Sequence, residues 1–350
     1  MFMEDLILEK YFAASNSSDG FCSYYDEVFN PQKFYKIYII KGGSGTGKSF
    51  FMNEIAKCAE SKGFSVEYIY CSSDAESLDG IVINEQKIAV LDGTSPHVYE
   101  PKYIGALESF VNLAEFLDER LLLSSRKLIE NISLEKHRGF KRVYRELRGY
   151  REISENIADI VAPCLKREKI KKYAKRFADG IKNGEGHEEH LLIRSIGMRG
   201  LSSFDTYFEN AKIYYEINDY FESAHFMMGE IYSLMKESGA NLRVSNNPII
   251  KDRLDALCEI ESGLTFEINN RFDDDCRAIN MKRFVDVDGI GKIRHKYRSL
   301  IRVRDNILSL VLDEFENIKK YHFILEEIYG SAMNFEAKEQ FTREFCNKIF

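Results

Sequence analysis

No stretch of the 350-residue chain approaches twenty uninterrupted apolar residues, which argues against a membrane-spanning helix. The first residues, Met1-Phe2-Met3-Glu4-Asp5, are acidic where a secretion signal is basic, so a cytoplasmic protein without a membrane partner is expected. Cysteines at 22, 58, 71, 164, 258, 276 and 346 are odd in number and include no Cys-x-x-Cys pair. With no histidine cluster near them, neither a disulfide framework nor a zinc site is indicated. Disorder is also disfavoured: 44% of residues are apolar and 30% charged, and the length leaves room for two domains with cores of their own.

The net charge of −7 conceals a segregation. Residues 121–182 hold 17 Lys or Arg against 8 Asp or Glu. On long helices such a block is usually a solvated face; the functional reading is a footprint for a phosphate-bearing or nucleic-acid partner.

What is present centres on one stretch. The run Tyr35-Lys36-Ile37-Tyr38-Ile39-Ile40 reads as a buried strand and leads through Lys41 into Gly42-Gly43-Ser44-Gly45-Thr46-Gly47-Lys48-Ser49. That spacing is a phosphate-binding loop: glycines let successive N–H groups turn toward an anion, and a lysine and a hydroxyl complete the cage. Phe51, Met52, Ile55, Ala56 and Ala59 then give the apolar side of a helix whose N-terminus favours negative charge. A second strand over residues 64–70 makes a βαβ unit, which predicts a parallel sheet. Ile88-Ala89-Val90-Leu91 ends in Asp92, positioned as the carboxylate that orients a magnesium ion.

From 104 to 182 the pattern reads as helical, with Leu107, Phe110, Val111, Ala114 and Leu117 on one face and Phe140, Val143, Tyr144, Leu147 and Tyr150 on another. Pro163 breaks the run. The expected domains are therefore a nucleotide-binding domain over 1–183 with a helical excursion at 104–182, a linker at 184–189, and a second domain over 190–350.

That second domain repeats the first. A shift of 176 residues sets 36–92 on 212–268 without a gap, and 11 of 57 positions agree, against roughly three or four from composition. A shift of 180 sets Gly20 and Ser23 on Gly200 and Ser203. The loop is not repeated: its place is taken by Asn218-Asp219-Tyr220-Phe221-Glu222-Ser223-Ala224-His225, and Asp92 becomes Ile268. Asp79 persists as Asp255 in the half without the loop, which suggests a structural bond. The fold class expected is α/β, a P-loop NTPase-like parallel sheet with a helical excursion followed by a degenerate, duplicated second domain. The halves are expected to pack as an internal pseudo-dimer within a monomer, or within a homo-oligomer.

The loop, the stretch from Cys71 to Gly80 and the string Leu91-Asp92-Gly93-Thr94-Ser95-Pro96-His97 resemble a bacterial family of poorly characterised P-loop proteins. Its members are labelled ATPase, ATP-binding protein or putative nucleotide kinase and carry two P-loop halves. The resemblance implies ATP with Mg2+ as the bound pair, and the second half departs from the family in lacking a glycine-lysine loop.

In this reading Lys48 neutralises the β and γ phosphates, Ser49 and Asp92 serve magnesium, and Asp74 and His97 are the candidates to orient water or an acceptor hydroxyl. Asp74 equally suits a helix cap, and His97 an ordinary loop bond. Three functions fit: an ATPase or ATP-driven switch, a kinase whose basic helices close arginines such as Arg138, Arg142 and Arg145 over the phosphates, and a slow nucleotide-sensing scaffold.

Overall fold

The computed structural model describes residues 9–95, 99–181, 184–269 and 277–350. The first half opens with β1 (Glu9–Phe12), a hairpin of β2 (Ala14–Ser17) and β3 (Gly20–Ser23), and one helical turn, α1 (Tyr25–Val28). It continues through β4 (Lys36–Lys41), α2 (Lys48–Ser61), β5 (Val66–Tyr70), β6 (Leu78–Ile83), β7 (Ile88–Asp92), β8 (Glu108–Asn112), α3 (Glu119–Val161) and α4 (Arg167–Ala178). The second half follows the same plan: β9 (Glu188–His190), β10 (Arg194–Gly197), β11 (Gly200–Ser203), α5 (Thr206–Glu209), β12 (Ile213–Asn218), α6 (Ala224–Glu237), β13 (Leu242–Asn246), β14 (Leu254–Glu259), β15 (Leu264–Ile268), β16 (Arg277–Asn280), α7 (Val287–Ser331) and α8 (Phe335–Ile349).

Each half builds a six-stranded sheet, in the orders β1-β5-β6-β7-β4-β8 and β9-β13-β14-β15-β12-β16. The two orders are the same, the arrangement of a duplicated chain. Both sheets are mixed, where the strand-helix-strand pattern predicts parallel ones. The reason is loop length. Residues 71–77 and 84–87 are too few for a crossover, so β6 turns back antiparallel to both β5 and β7. A second correction concerns 104–117, expected to be helical. Its residues 108–112 form β8, which adds to the free edge of β4, a non-local pairing invisible to a helical count.

α3 does run for 43 residues, and a 3₁₀ turn at Ala162–Cys164 containing Pro163 separates it from α4. Asp118 caps α3 and Asp286 caps α7, each carboxylate accepting two N–H groups of the first turn. The two helices pack along the stripe predicted on α3: Val143 and Leu147 lie buried with Val311, Phe315 and Ile318 of α7. They run antiparallel, since Leu117 bridges Met333 at one end and Leu165 bridges Val285 at the other.

The halves are related by a pseudo-two-fold relation that the backbone obeys closely. Phe12 and Leu192, counterparts under the 180-residue shift, donate to each other at 2.8 and 3.0 Å. Ser18 donates to Ile249 and Met198 to Ser73 at 2.9 and 2.8 Å, one bond being the image of the other.

The last helix of each half crosses over. α8 lays Phe345 and Cys346 into the core built by Met52, Ile55 and Val66 of the first half, with Phe345 5.2 Å from Phe51. α4 lays Ile170 and Ala174 into the core of Met227, Ile231 and Phe266, with Phe177 4.8 Å from Phe266. The expected division at 183 therefore places α4 with the wrong sheet, and the expected linker at 184–189 already contains the start of β9. Local sequence reports that a helix is amphipathic; it does not report whose apolar face it covers.

Candidate functional site

β4 and α2 are joined by the 42–49 loop, at the carboxyl end of the parallel pair β4 and β7. Gly45 and Gly47 hold φ at +70° and +75°, a region open to glycine at little cost. The Thr46 hydroxyl closes the turn by donating to the Gly43 carbonyl at 2.9 Å. Lys48 folds its amine back onto the carbonyls of Gly43, at 2.8 Å, and Gly42, at 3.4 Å, and lies 3.5 Å from Asp92 Oδ2. The loop, Lys48 and Asp92 thus form one cluster.

Asp92 is buried at the end of β7 and accepts from the Thr94 N–H at 2.8 Å and from the Thr94 hydroxyl. Burial raises its pKa, the Lys48 charge opposes that, and Asp79 adds to it. Ser49 Oγ accepts from the Leu78 N–H at 3.0 Å and keeps a second lone pair. These hard oxygen donors suit a magnesium ion, and a carboxylate whose ionised form is held at a cost by burial gains most from a cation.

The other two candidates are placed differently. Asp74 takes the Arg199 guanidinium at 3.0 Å and the Glu76 N–H at 3.3 Å, so its Oδ1 is committed to a turn and to an ion pair across the halves. His97 lies outside the described residues. Arg138 and Arg142 are exposed and paired with Glu135 and Glu314, and Arg145 is exposed.

The second half covers the loop. An added Cβ on Gly45 would stand 2.5 Å from the Glu326 carbonyl of α7, one on Gly43 3.0 Å from the Tyr329 ring, and one on Gly47 2.6 Å from Lys338 Nζ of α8. Glycine at these positions thus serves the packing of α7 and α8 as well as the turn.

The corresponding loop, 218–225, turns at the place of Gly45, but its second left-handed residue stands at the place of Thr46, and Ser223, at the place of Gly47, has φ −87°. Phe221 and Glu222 sit at φ 57° and 54°, a conformation costing non-glycine residues roughly 1 kcal/mol each. Asp219, at the place of Gly43, accepts the N–H of Ala224 at 2.8 Å and of Glu222 at 3.0 Å. Those N–H groups are the counterparts of Lys48 and Thr46. A carboxylate of the chain itself therefore fills this loop, and Glu222 adds an ion pair to Arg304 of α7. Burial pushes the Asp219 pKa up, and its bonds to the loop N–H groups pull it down. In the 42–49 loop the N–H groups of Thr46 and Lys48 meet no side-chain acceptor among the described residues. Asp79 and Asp255 also share a neighbour position: Asn247 donates to Asp255 at 3.0 Å, and its counterpart, the half-buried Cys71, lies beside Asp79.

No family model, curated protein or solved structure matches the chain. Among the described residues no helix is long and apolar enough to cross a membrane, and no group of three or more His, Cys, Asp or Glu is arranged to hold a metal.

Two parts of the site escaped the sequence reading. In the sequence Asp219 is only one residue of the string that replaces the glycine loop, whereas its carboxylate accepts two N–H groups of that loop. Lys136 of α3 falls in register with Phe140, Val143 and Leu147, a cation within an apolar stripe that the helical pattern marks.

Proposed function

We propose that the first half binds one ATP with magnesium through the 42–49 loop and hydrolyses it, and that the second half is a non-hydrolysing support whose helices respond to the bound nucleotide. One observation carries this reading: the degenerate loop holds its own carboxylate, Asp219, on the N–H groups whose counterparts in the intact loop have no anion of their own. Loop N–H groups that gather on one carboxylate make an anion site, and the intact loop would take its anion from outside.

Lys48, already drawn to the mouth of the loop, would exchange its carbonyl partners for the β and γ phosphates. Ser49 and Asp92 would hold magnesium, which supplies charge neutralisation across the phosphates. Hydrolysis breaks the bond between the γ-phosphorus and its bridging oxygen, and water supplies the new oxygen. Of the arginines a kinase would close over the phosphates, Arg138 and Arg142 are paired with Glu135 and Glu314, and Arg145 is exposed.

The test is ADP release from ATP and magnesium by the purified chain, alone and with a panel of nucleoside monophosphates, together with calorimetric stoichiometry. Release without acceptor and one nucleotide per chain is expected. Acceptor-dependent release would make it a kinase, binding without release a scaffold, and two equivalent sites would overturn the one-site reading.

A further inference from the structure

Resting on that reading, we infer that Lys136 of α3 is a second phosphate-binding cation of the site, the one that distinguishes a terminal γ-phosphate from a diphosphate, and that His322 of α7 holds it in reserve.

The placement follows from a chain of contacts. Lys136 Nζ lies 2.9 Å from His322 Nδ1, His322 Nε2 lies 3.4 Å from Glu326 Oε1, and the Glu326 carbonyl lies against Gly45 of the loop. An ammonium only donates, so Nδ1 accepts and the imidazole proton sits on Nε2, directed at Glu326. Lys136 makes no ion pair with a carboxylate among the described residues. It is half-buried, and burial depresses its pKa; Cys71 and Glu326 counter this, while the nearby Lys48 adds to it. Lys136 thus stands near Lys48 beside the loop, with a histidine ring rather than a carboxylate as its hydrogen-bond partner.

The second half shows what that position is for. Arg304 stands in α7 where Lys136 stands in α3, with Leu308, Val311 and Phe315 matching Phe140, Val143 and Leu147. Arg304 pairs with Glu222, which occupies the place of Thr46 in the degenerate loop. There the loop supplies the cation with an anion. The intact loop has no acid at any position, so Lys136 is left to an anion that enters with the ligand. Its class is a phosphoryl oxygen beyond those held by the loop amides and Lys48. Taking it breaks the bond to His322 and frees one face of α7 at its contact with the loop.

The experiment uses the full-length chain with Lys136→Gln, whose amide still donates to His322, and Lys136→Arg. Affinities for Mg-ADP and for a non-hydrolysable Mg-ATP analogue are measured by calorimetry. Lys136→Gln is expected to weaken the triphosphate at least tenfold and ADP less than twofold, and Lys136→Arg to keep the wild-type preference. Equal weakening of both nucleotides, or of neither, in a glutamine variant that melts like wild type overturns the inference while leaving the nucleotide site intact. Should the glutamine variant not fold, His322→Phe decides: removing the acceptor should tighten the triphosphate and not ADP, and no change overturns the inference. A wild-type chain that binds neither nucleotide overturns the reading beneath it as well.

Discussion

Asp219 holds in the second half the position that Gly43 holds in the first, and its carboxylate accepts the N–H groups of Glu222 and Ala224, which an intact loop would offer to phosphate. In the reading proposed above, the two loops are an open and a self-filled version of one device. The first prediction is reciprocal: Asp219→Gly leaves those N–H groups without their half-buried acceptor and should destabilise the chain by about 1–3 kcal/mol. Inorganic phosphate or sulfate should recover part of the loss in thermal melting. A neutral or stabilising effect would show that Asp219 is not the loop's anion.

Lys48→Ala should lower ATP affinity or turnover at least tenfold, since a charge-assisted contact to phosphate is worth about 1.5–3 kcal/mol. Folding should suffer little, because the bonds it loses are to the carbonyls of Gly42 and Gly43 at the loop mouth. Unchanged binding and turnover would remove the loop from the mechanism.

Asp92→Asn should spare folding and abolish magnesium-dependent turnover. Burial raises the Asp92 pKa above its ordinary value, so ionisation works against folding as pH rises through that range, and a neutral amide relieves the cost. Turnover falling only in proportion to lost folded protein would make Asp92 structural.

Much of this was legible in the sequence and some was not, for physical reasons. Loop 42–49 with its flanking strand and helix is a contiguous pattern, and Asp92 ends a run that any local count detects. The mixed sheet was not legible, because β6 differs from a parallel strand only in the brevity of its turns. β8 reads as helix in a local count because its pairing with β4 spans about seventy residues of chain. The exchange of α4 and α8 was beyond reach for a related reason: Ile170 and Phe345 announce an apolar face without naming its partner.

Gly45→Ala should be costly and Gly229→Ala favourable. At Gly45 the φ of +70° and a Cβ 2.5 Å from the Glu326 carbonyl act together, at least ~1 kcal/mol from the backbone alone. Gly229 lies within α6 with open space around it, where alanine gains roughly 0.5–1 kcal/mol. Melting temperatures should move in opposite directions. Equal shifts would mean that α7 does not press on the loop.

His225, at the place of Ser49, has its pKa pushed down to about 3, first by burial and then by Arg253. The unfolded chain takes a proton there near 6.5 and the folded chain does not, so stability falls as pH drops below that value toward 3 and is fully present above it. Denaturant midpoints between pH 5 and 6.5 should decline in the wild type and flatten in His225→Gln. Parallel slopes would disprove the assignment.

The exchanged helices make covalent continuity between the halves dispensable. Residues 184–187 are exposed, and a cut there leaves each piece holding a helix buried in the other's sheet. A nicked molecule should stay a single particle under native conditions, like two clasped hands after the sleeve joining them is cut, whereas residues 1–186 made alone would present Phe51 and Met52 uncovered and aggregate.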